Sequence, residues 1–321
     1  MKILITGISG FVARHFIELL STSGETHTVA GIYCSNQPGF SETQYPGITC
    51  SFYQVNLLNT EKVNGLLLSF RPDYILHLAS KSSVAESWLH PADFITENTG
   101  IFLSLIEGLR INSLKCRMLS IGSSEEYGNA DATSDALTES LCPHPASPYG
   151  AARVMQEKLV EIYSKNYGID ILHTRSFNHI GPYQSDHFVI SSFAKQVVDQ
   201  IKKGAKEIEL VVGDVSVIRD FTDVRDVVKA YYGLMIDGKT GETYNVCSNE
   251  GYVLKDIIDM LGKLTGTTIT YKTDKKNFRP SENKKIIGSF KKIKNEIGWQ
   301  PEIPMEKSLR DLLAYWQTKL T

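Results

Sequence analysis

Within the first thirteen residues an apolar run meets a glycine turn, and this junction constrains the fold more than any other feature. Met1-Lys2-Ile3-Leu4-Ile5 reads as a buried parallel strand, and Thr6-Gly7-Ile8-Ser9-Gly10-Phe11-Val12-Ala13 follows at once. Gly7 permits the tight turn, Gly10 lets a pyrophosphate approach the backbone, and Ala13 lets the next helix pack closely on the sheet. Phe16, Ile17, Leu19 and Leu20 give that helix an apolar face. The free N–H groups at its start bind an anion, helped by the helix dipole. Gly7, Ser9, Gly10, Phe11 and Val12 are therefore candidate contacts to a dinucleotide.

Downstream, apolar runs at 28–33, 49–55, 74–79, 116–121 and 169–174 alternate with helical patterns such as 93–110 and 151–166. Alternation of this kind predicts an α/β fold with a parallel sheet covered on both faces. Right-handed crossovers make it doubly wound (Rossmann), with ligands at the carboxyl ends of the strands. After about residue 175 the rhythm becomes irregular: 177–184 is polar and turn-rich, and 272–285 is basic and loop-like. The expected organisation is a dinucleotide-binding domain over 1–175 plus about 222–248. A smaller, irregular α/β cap over 176–221 and 249–321 would bind the substrate.

Composition narrows the class. A net charge of −2 over 321 residues gives no reason to expect nucleic acid or a membrane surface as partner. No apolar stretch is long enough to span a bilayer, and the first residues lack the pattern of a signal peptide. The five cysteines, Cys34, Cys50, Cys116, Cys142 and Cys247, are odd in number and scattered. They predict a reducing cytoplasm, with neither a disulfide frame nor a zinc site. The histidines form no metal-ligand pair, so no metal is expected.

Ser123 and Tyr149 carry the chemistry. Gly122-Ser123-Ser124-Glu125-Glu126-Tyr127-Gly128 follows the strand at 116–121, so Ser123 belongs at a carboxyl strand end. Pro148-Tyr149-Gly150-Ala151-Ala152-Arg153 opens the next long helix, and Tyr149 and Arg153, four apart, share a face. Tyrosine ionises near 10, so proton transfer near neutrality needs a cation and hydrogen bonds to lower that value. A shift of about three units takes roughly 4 kcal/mol of differential stabilisation. Arg153, a nicotinamide cofactor and Ser123 together could supply it.

These residues resemble the extended short-chain dehydrogenases/reductases that act on nucleotide sugars. The likeness runs end to end. It includes His77-Leu78-Ala79-Ser80, Asn98, Asn178-His179-Ile180-Gly181-Pro182, Arg219-Asp220-Phe221-x-x-Val224-x-Asp226 and Trp299-Gln300-Pro301. Gly122–Gly128, Thr174–Pro182 and Arg279-Pro280-Ser281-Glu282 look most like the branch of GDP-4-keto-6-deoxy-D-mannose reductases.

The resemblance implies a reductase that passes hydride from NAD(P)H to the C4 ketone of a GDP-4-keto-6-deoxy-hexose, as in GDP-rhamnose-type biosynthesis. It places Ser123 at the sugar oxygen under attack and Tyr149 as that oxygen's proton donor. Arg153 stands where the family has the lysine that bridges the nicotinamide ribose. Cofactor contacts carry over to Asn56, Leu57, Leu78, Ala79, Ser80 and Asn98, and substrate contacts to Ser82, Val84, Ser124, Asn178 and Val189. Lys195, Arg219 and Arg279 match the cations around the diphosphate, and Glu282 a carboxylate near the nucleoside. The chemistry agrees, since cations suit phosphate and a carboxylate accepts from guanine N–H groups. Relatives commonly form homodimers through helices equivalent to 93–110 and 151–166.

Two departures bear on mechanism. Arg153 keeps the lysine's charge but does not deprotonate, so a proton relay through it should be absent; on sequence alone, Arg153→Lys should keep or raise activity. Asn56 replaces a common aspartate but still offers an acceptor oxygen. The second strand ends Tyr33-Cys34-Ser35-Asn36, with neither the acid that marks NAD nor the arginine that marks NADP; Ser35 and Asn36 can donate to a 2′-phosphate, and the slight lean is to NADPH. Glu125 keeps a GDP-sugar 4,6-dehydratase open, because that reaction needs a base for a C5 proton. A C4 dehydrogenase or an epimerase of the same family, and a dinucleotide-binding sensor that has lost catalysis, are the other readings.

Overall fold

The computed structural model describes residues 1–129, 136–274, 276 and 283–320. Its strands are β1 (Lys2–Thr6), β2 (His27–Tyr33), β3 (Ile48–Gln54), β4 (Tyr74–His77), β5 (Arg117–Ile121), β6 (Ile171–Ser176), β7 (Asn178–Ile180), β8 (Glu207–Val212), β9 (Ile218–Asp223), β10 (Thr243–Val246), β11 (Gly251–Val253), β12 (Thr268–Thr273) and β13 (Lys285–Ile286). Seven of them form one parallel sheet in the order β10-β6-β5-β4-β1-β2-β3. The doubly wound fold expected from the alternation is the one observed. Strand order reverses between β1 and β4, which opens a ligand crevice at their carboxyl ends.

The two faces of the sheet bury separate apolar cores. Phe16, Leu20, Val227, Tyr231 and Leu234 cover one face from the helices Phe11–Ser21 and Val224–Asp237. Leu67, Phe102, Leu105, Leu109 and Val160 cover the other from Thr60–Phe70, Pro91–Ile111 and Pro148–Tyr167. Each fully buried Leu or Phe contributes roughly 1.5–3 kcal/mol. A further core joins β8 to the helices Val189–Lys202, Leu254–Thr265 and Met305–Lys319 through Phe193, Val197, Ile257 and Leu309. Beside it β9 pairs with β7, β11 and β13.

Local signals set the element ends. Helix Pro148–Tyr167 starts with Ser147 Oγ accepting from Gly150 N at 3.0 Å, has Pro148 in its first turn, and stops at the left-handed Gly168. Ile169 N then bonds back to Tyr163 O, so β6 begins at Ile171 and not at 169 as expected. Trp299 Nε1 donates to the Asp226 carbonyl, and the Glu302 and Ile303 amides donate to its carboxylate. The Trp299-Gln300-Pro301 turn is thereby locked onto helix Val224–Asp237.

Candidate active site

The glycine turn is built to be filled from outside. Gly7 has φ of +71°, and a Cβ there would lie 2.9 Å from the Ala79 amide nitrogen. Thr6 Oγ1 accepts from Ala79 N at 3.1 Å and bonds His77 Nδ1 at 2.9 Å, joining β1 to the chain leaving β4 at the switch point. Gly10 is the N-cap of helix Phe11–Ser21 and offers its amides no side-chain acceptor. Phe11 and Val12 thus begin a helix open to an anion.

Around this turn the expected cofactor residues fall into two groups. Ser9 Oγ donates to the Asn36 carbonyl, which ties the exposed Ser35–Asn36 turn to the glycine turn. An arginine that the sequence reading passed over, Arg14, reaches the same loop at Gly39 O (3.5 Å), stacked over Tyr183 at 3.7 Å. Asn98 is buried and committed to the backbone of Lys81, donating to its carbonyl (3.1 Å) and accepting from its amide (2.8 Å). Asn56 Oδ1 likewise accepts from Leu58 N at 2.9 Å, beside the buried Leu57. These two amides hold loops in place; Leu78, Ala79 and Ser80 line the switch point between them and β1.

Ser123 and Tyr149 converge from β5 and the long helix. Ser123 caps the short 3-10 turn Ser124–Glu126: its Oγ accepts from Glu125 N at 3.2 Å, and its own amide donates to Glu126 Oε1 at 2.7 Å. The helix start packs onto that turn so closely that a Cβ on Gly150 would lie 2.6 Å from the Glu125 carbonyl. Tyr149 and Arg153 are both buried, with the guanidinium carbon 5.1 Å from the tyrosine ring centroid. Arg153 Nη1 donates to Ile121 O (3.0 Å) and Gln156 Oε1 (2.7 Å), and Nη2 to Ser80 Oγ (2.5 Å). Its Nε is buried without a partner, a donor left for a ligand. Burial, assisted by this cation, lowers His77 to about 3, so it is neutral at physiological pH.

On the cap side a cleft is lined by Val84, Trp88, Glu125, Ser147 and Arg219. Three of the expected residues, Val84, Glu125 and Arg219, therefore share it; Trp88 and Ser147 were not expected and have no spacing signal that would reveal them. Asp220 and Asp226, two acids of the same stretch as Arg219, are held by backbone amides. Asp220 accepts from the Ser248, Asn249 and Gly288 amides, and Asp226 from those of Glu302 and Ile303. Ser82 is exposed and Ser124 buried. Asn178 Nδ2 donates to the Asp220 carbonyl at 3.0 Å. Val189 opens helix Val189–Lys202, and Lys195 on that helix pairs with Asp186 at 2.5 Å beside the Trp316 ring. Arg279 and Glu282 lie outside the described residues.

Buried Glu126, Glu157 and His173 approach one another closely enough to suggest a metal site. Arg175 already fills the cation's part, donating to both Glu157 oxygens at 2.9 and 2.8 Å. Burial opposes charge on both carboxyls. It raises Glu126, whereas hydrogen bonds from Glu126 and Arg175 hold Glu157 at about 2.

The chain is similar to known proteins over nearly its whole length. A family model described as GDP-mannose 4,6 dehydratase matches residues 4–312. GDP-6-deoxy-D-mannose reductase of Pseudomonas aeruginosa is 31% identical over 319 residues, covering 99% of this chain and 98% of that protein. The solved structure of RMD from Pseudomonas aeruginosa complexed with NADPH superposes with a TM-score of 0.84 at 30% identity, over 99% of this chain and 98% of that one. UDP-glucose 4-epimerase of Thermotoga maritima with UDP-glucose superposes with a TM-score of 0.87 at 26% identity over the whole of both chains. With a family match from residue 4 to residue 312 and a relative at 31% identity over nearly its whole length, this chain belongs to the GDP-mannose 4,6 dehydratase family of short-chain dehydrogenases/reductases.

Proposed function

We propose that the protein is an NAD(P)H-dependent reductase of the C4 ketone of a GDP-4-keto-6-deoxy-hexose. The observation that carries this reading is the Arg153 guanidinium, which joins the end of β5, Ser80 at the switch point and the Tyr149 ring in one buried contact set. The residues fit a dinucleotide: an uncapped helix start behind a left-handed glycine, and an unpartnered buried Nε beside the tyrosine. We assign the cofactor to 1–175 with 222–248 and the nucleotide sugar to 176–221 with 249–321.

The bound nicotinamide supplies the hydride. Ser123 donates its hydroxyl hydrogen to the ketone oxygen, and Tyr149 delivers a proton as that oxygen becomes an alkoxide. Arg153 offers Nε–H to a ribose hydroxyl. Arg219, Lys195 and Arg279 offer charge to the diphosphate, and Glu282 an acceptor to guanine N–H groups. Arg14 beside the Ser35–Asn36 loop gives a 2′-phosphate a cation, which favours NADPH.

Glu125 supports a second reading, a GDP-sugar 4,6-dehydratase, because its carboxylate lines the same cleft as Arg219. Among the described residues no helix is long and apolar enough to cross a membrane. The cysteine pattern supports a cytoplasmic setting. Exposed Ile95, Met155 and Ile162 on the helices Pro91–Ile111 and Pro148–Tyr167 support a homodimer through that face. Calorimetry with GDP, UDP and dTDP tests the nucleotide: GDP should bind most tightly, and tighter binding of UDP or dTDP would reject the GDP assignment.

A further inference from the structure

Beneath the site runs a chain of hydrogen bonds from Arg153 to Glu126. A guanidinium only donates, so the Arg153 Nη1 contact at 2.7 Å sets the Gln156 amide with its oxygen toward the arginine. Gln156 Nε2 then donates to Ser120 Oγ at 2.7 Å. Ser120 Oγ lies 2.9 Å from His173 Nδ1, the two residues facing each other across β5 and β6. A Ser120 hydroxyl donating to Nδ1 puts the ring hydrogen on Nε2, which lies 3.3 Å from both Glu126 oxygens. Glu126 also accepts the Ser123 amide at 2.7 Å.

Space at the end of this chain is reserved for it. A Cβ on Gly122 would lie 2.3 Å from Glu126 Oε1 and 2.3 Å from His173 Nε2. Ser120, His173 and Glu126 are completely buried, and Gln156 nearly so. Dry apolar side chains would fill the same volume without desolvating polar groups, so a linked polar set needs a reason beyond stability.

We propose that Glu126 and His173 are positioning residues for the reduction. Through Ser120 and Gln156 they lock the Ser123 turn to the Arg153 guanidinium, so that the hydroxyl donor and the cation under Tyr149 keep one fixed relation. Ser123 receives its orientation from Glu126 through the backbone, and Arg153 receives its own from Gln156 and Ile121. Burial pushes the Glu126 carboxyl up, and its oxygens face the Ser123 amide and His173 Nε2. An amide can replace it in kind: the oxygen accepts from the same two donors and the NH2 faces Glu157.

This proposal rests on the reductase reading for its kinetic arm and stands apart from it in its spectroscopic arm. For that arm, ¹⁵N shifts of labelled histidine, with His173 assigned by its loss in His173→Gln, should show the Nε2–H tautomer in the substrate-free protein. The Nδ1–H tautomer, or a charged ring at neutral pH, overturns the chain. For the kinetic arm, Glu126→Leu and Ser120→Ala should lower kcat by roughly ten- to a hundredfold with KM and cofactor Kd changed less than about threefold, the pattern of misplaced reacting groups. Glu126→Gln should recover most of the loss seen in Glu126→Leu. Equal loss in the two Glu126 variants, or wild-type kcat in Ser120→Ala, which empties no large core volume, also overturns it. A wild-type protein inert on every 4-keto GDP-sugar counts against the reductase reading, while the tautomer measurement still decides the chain.

Discussion

Arg153 lies over the face of Tyr149, its guanidinium carbon 5.1 Å from the ring centroid, and neither side chain reaches solvent to more than 7%. In the proposed reduction this phenol is the proton donor to the sugar oxygen. In the same reading the glycine turn, and not that phenol, holds the dinucleotide. Tyr149→Phe should therefore lower kcat by roughly two to four orders of magnitude. Cofactor Kd, read by fluorescence titration, should hardly move. Normal turnover of the variant would remove Tyr149 from the mechanism.

The structure changes what is expected of Arg153→Lys. Charge alone makes lysine an equal or better residue. The guanidinium, however, spans Ile121 O, Gln156 Oε1 and Ser80 Oγ at once, a fork that one ammonium does not reproduce. Arg153→Lys should lower kcat by about tenfold and Arg153→Met by more. Steady-state kinetics of the three proteins check this. Wild-type kcat in Arg153→Met would show that the guanidinium contacts do not matter to turnover.

Glu125 separates the two enzymatic readings. A ketone reduction needs no base for C5, so Glu125→Gln should change kcat less than about tenfold, well below the loss of a true general base. A dehydratase would lose exchange of the C5 proton with deuterated solvent. Mass spectrometry of recovered sugar distinguishes them.

Acid should destabilise the fold through two buried histidines. Burial, with help from Arg153, lowers His77 to about 3, and burial lowers His179 to about 4. Unfolded histidine titrates near 6.5, so below that pH the unfolded chain binds more protons than the native one. The stability from keeping them neutral is complete above about pH 6.5 and is lost as pH falls toward those lower values. Tm should drop between about pH 6.5 and about pH 4, and His77→Asn should flatten part of that slope. An unchanged slope in the variant would show that His77 titrates normally.

Much of this was legible in the chain because it rests on short-range patterns. The β1–glycine-turn–helix junction, the alternation behind the seven-stranded sheet and the Tyr149/Arg153 spacing are all contained in stretches of a few residues. What escaped depends on register between distant segments. Ser120 and His173 meet because β5 and β6 pair at that step, and nothing within either strand announces it. Glu125 and Glu126 are adjacent, yet the 3-10 turn sends Glu125 to the cleft and Glu126 into the core. Arg14 was missed because its partner loop follows β2, some twenty-five residues on in sequence. The helix exit at Gly168 moved the start of β6 for a local reason, a left-handed cap that composition alone does not place.

The central claim is that this protein moves hydride to the C4 ketone of a GDP-linked 6-deoxy sugar. Its most direct test follows NADPH absorbance on mixing the protein with GDP-4-keto-6-deoxymannose and identifies the product by mass spectrometry and NMR. The account predicts one NADPH oxidised per sugar and a GDP-6-deoxyhexose with a hydroxyl at C4. No oxidation of NADPH or NADH, together with conversion of GDP-mannose to the 4-keto sugar, would contradict it and make the protein a dehydratase.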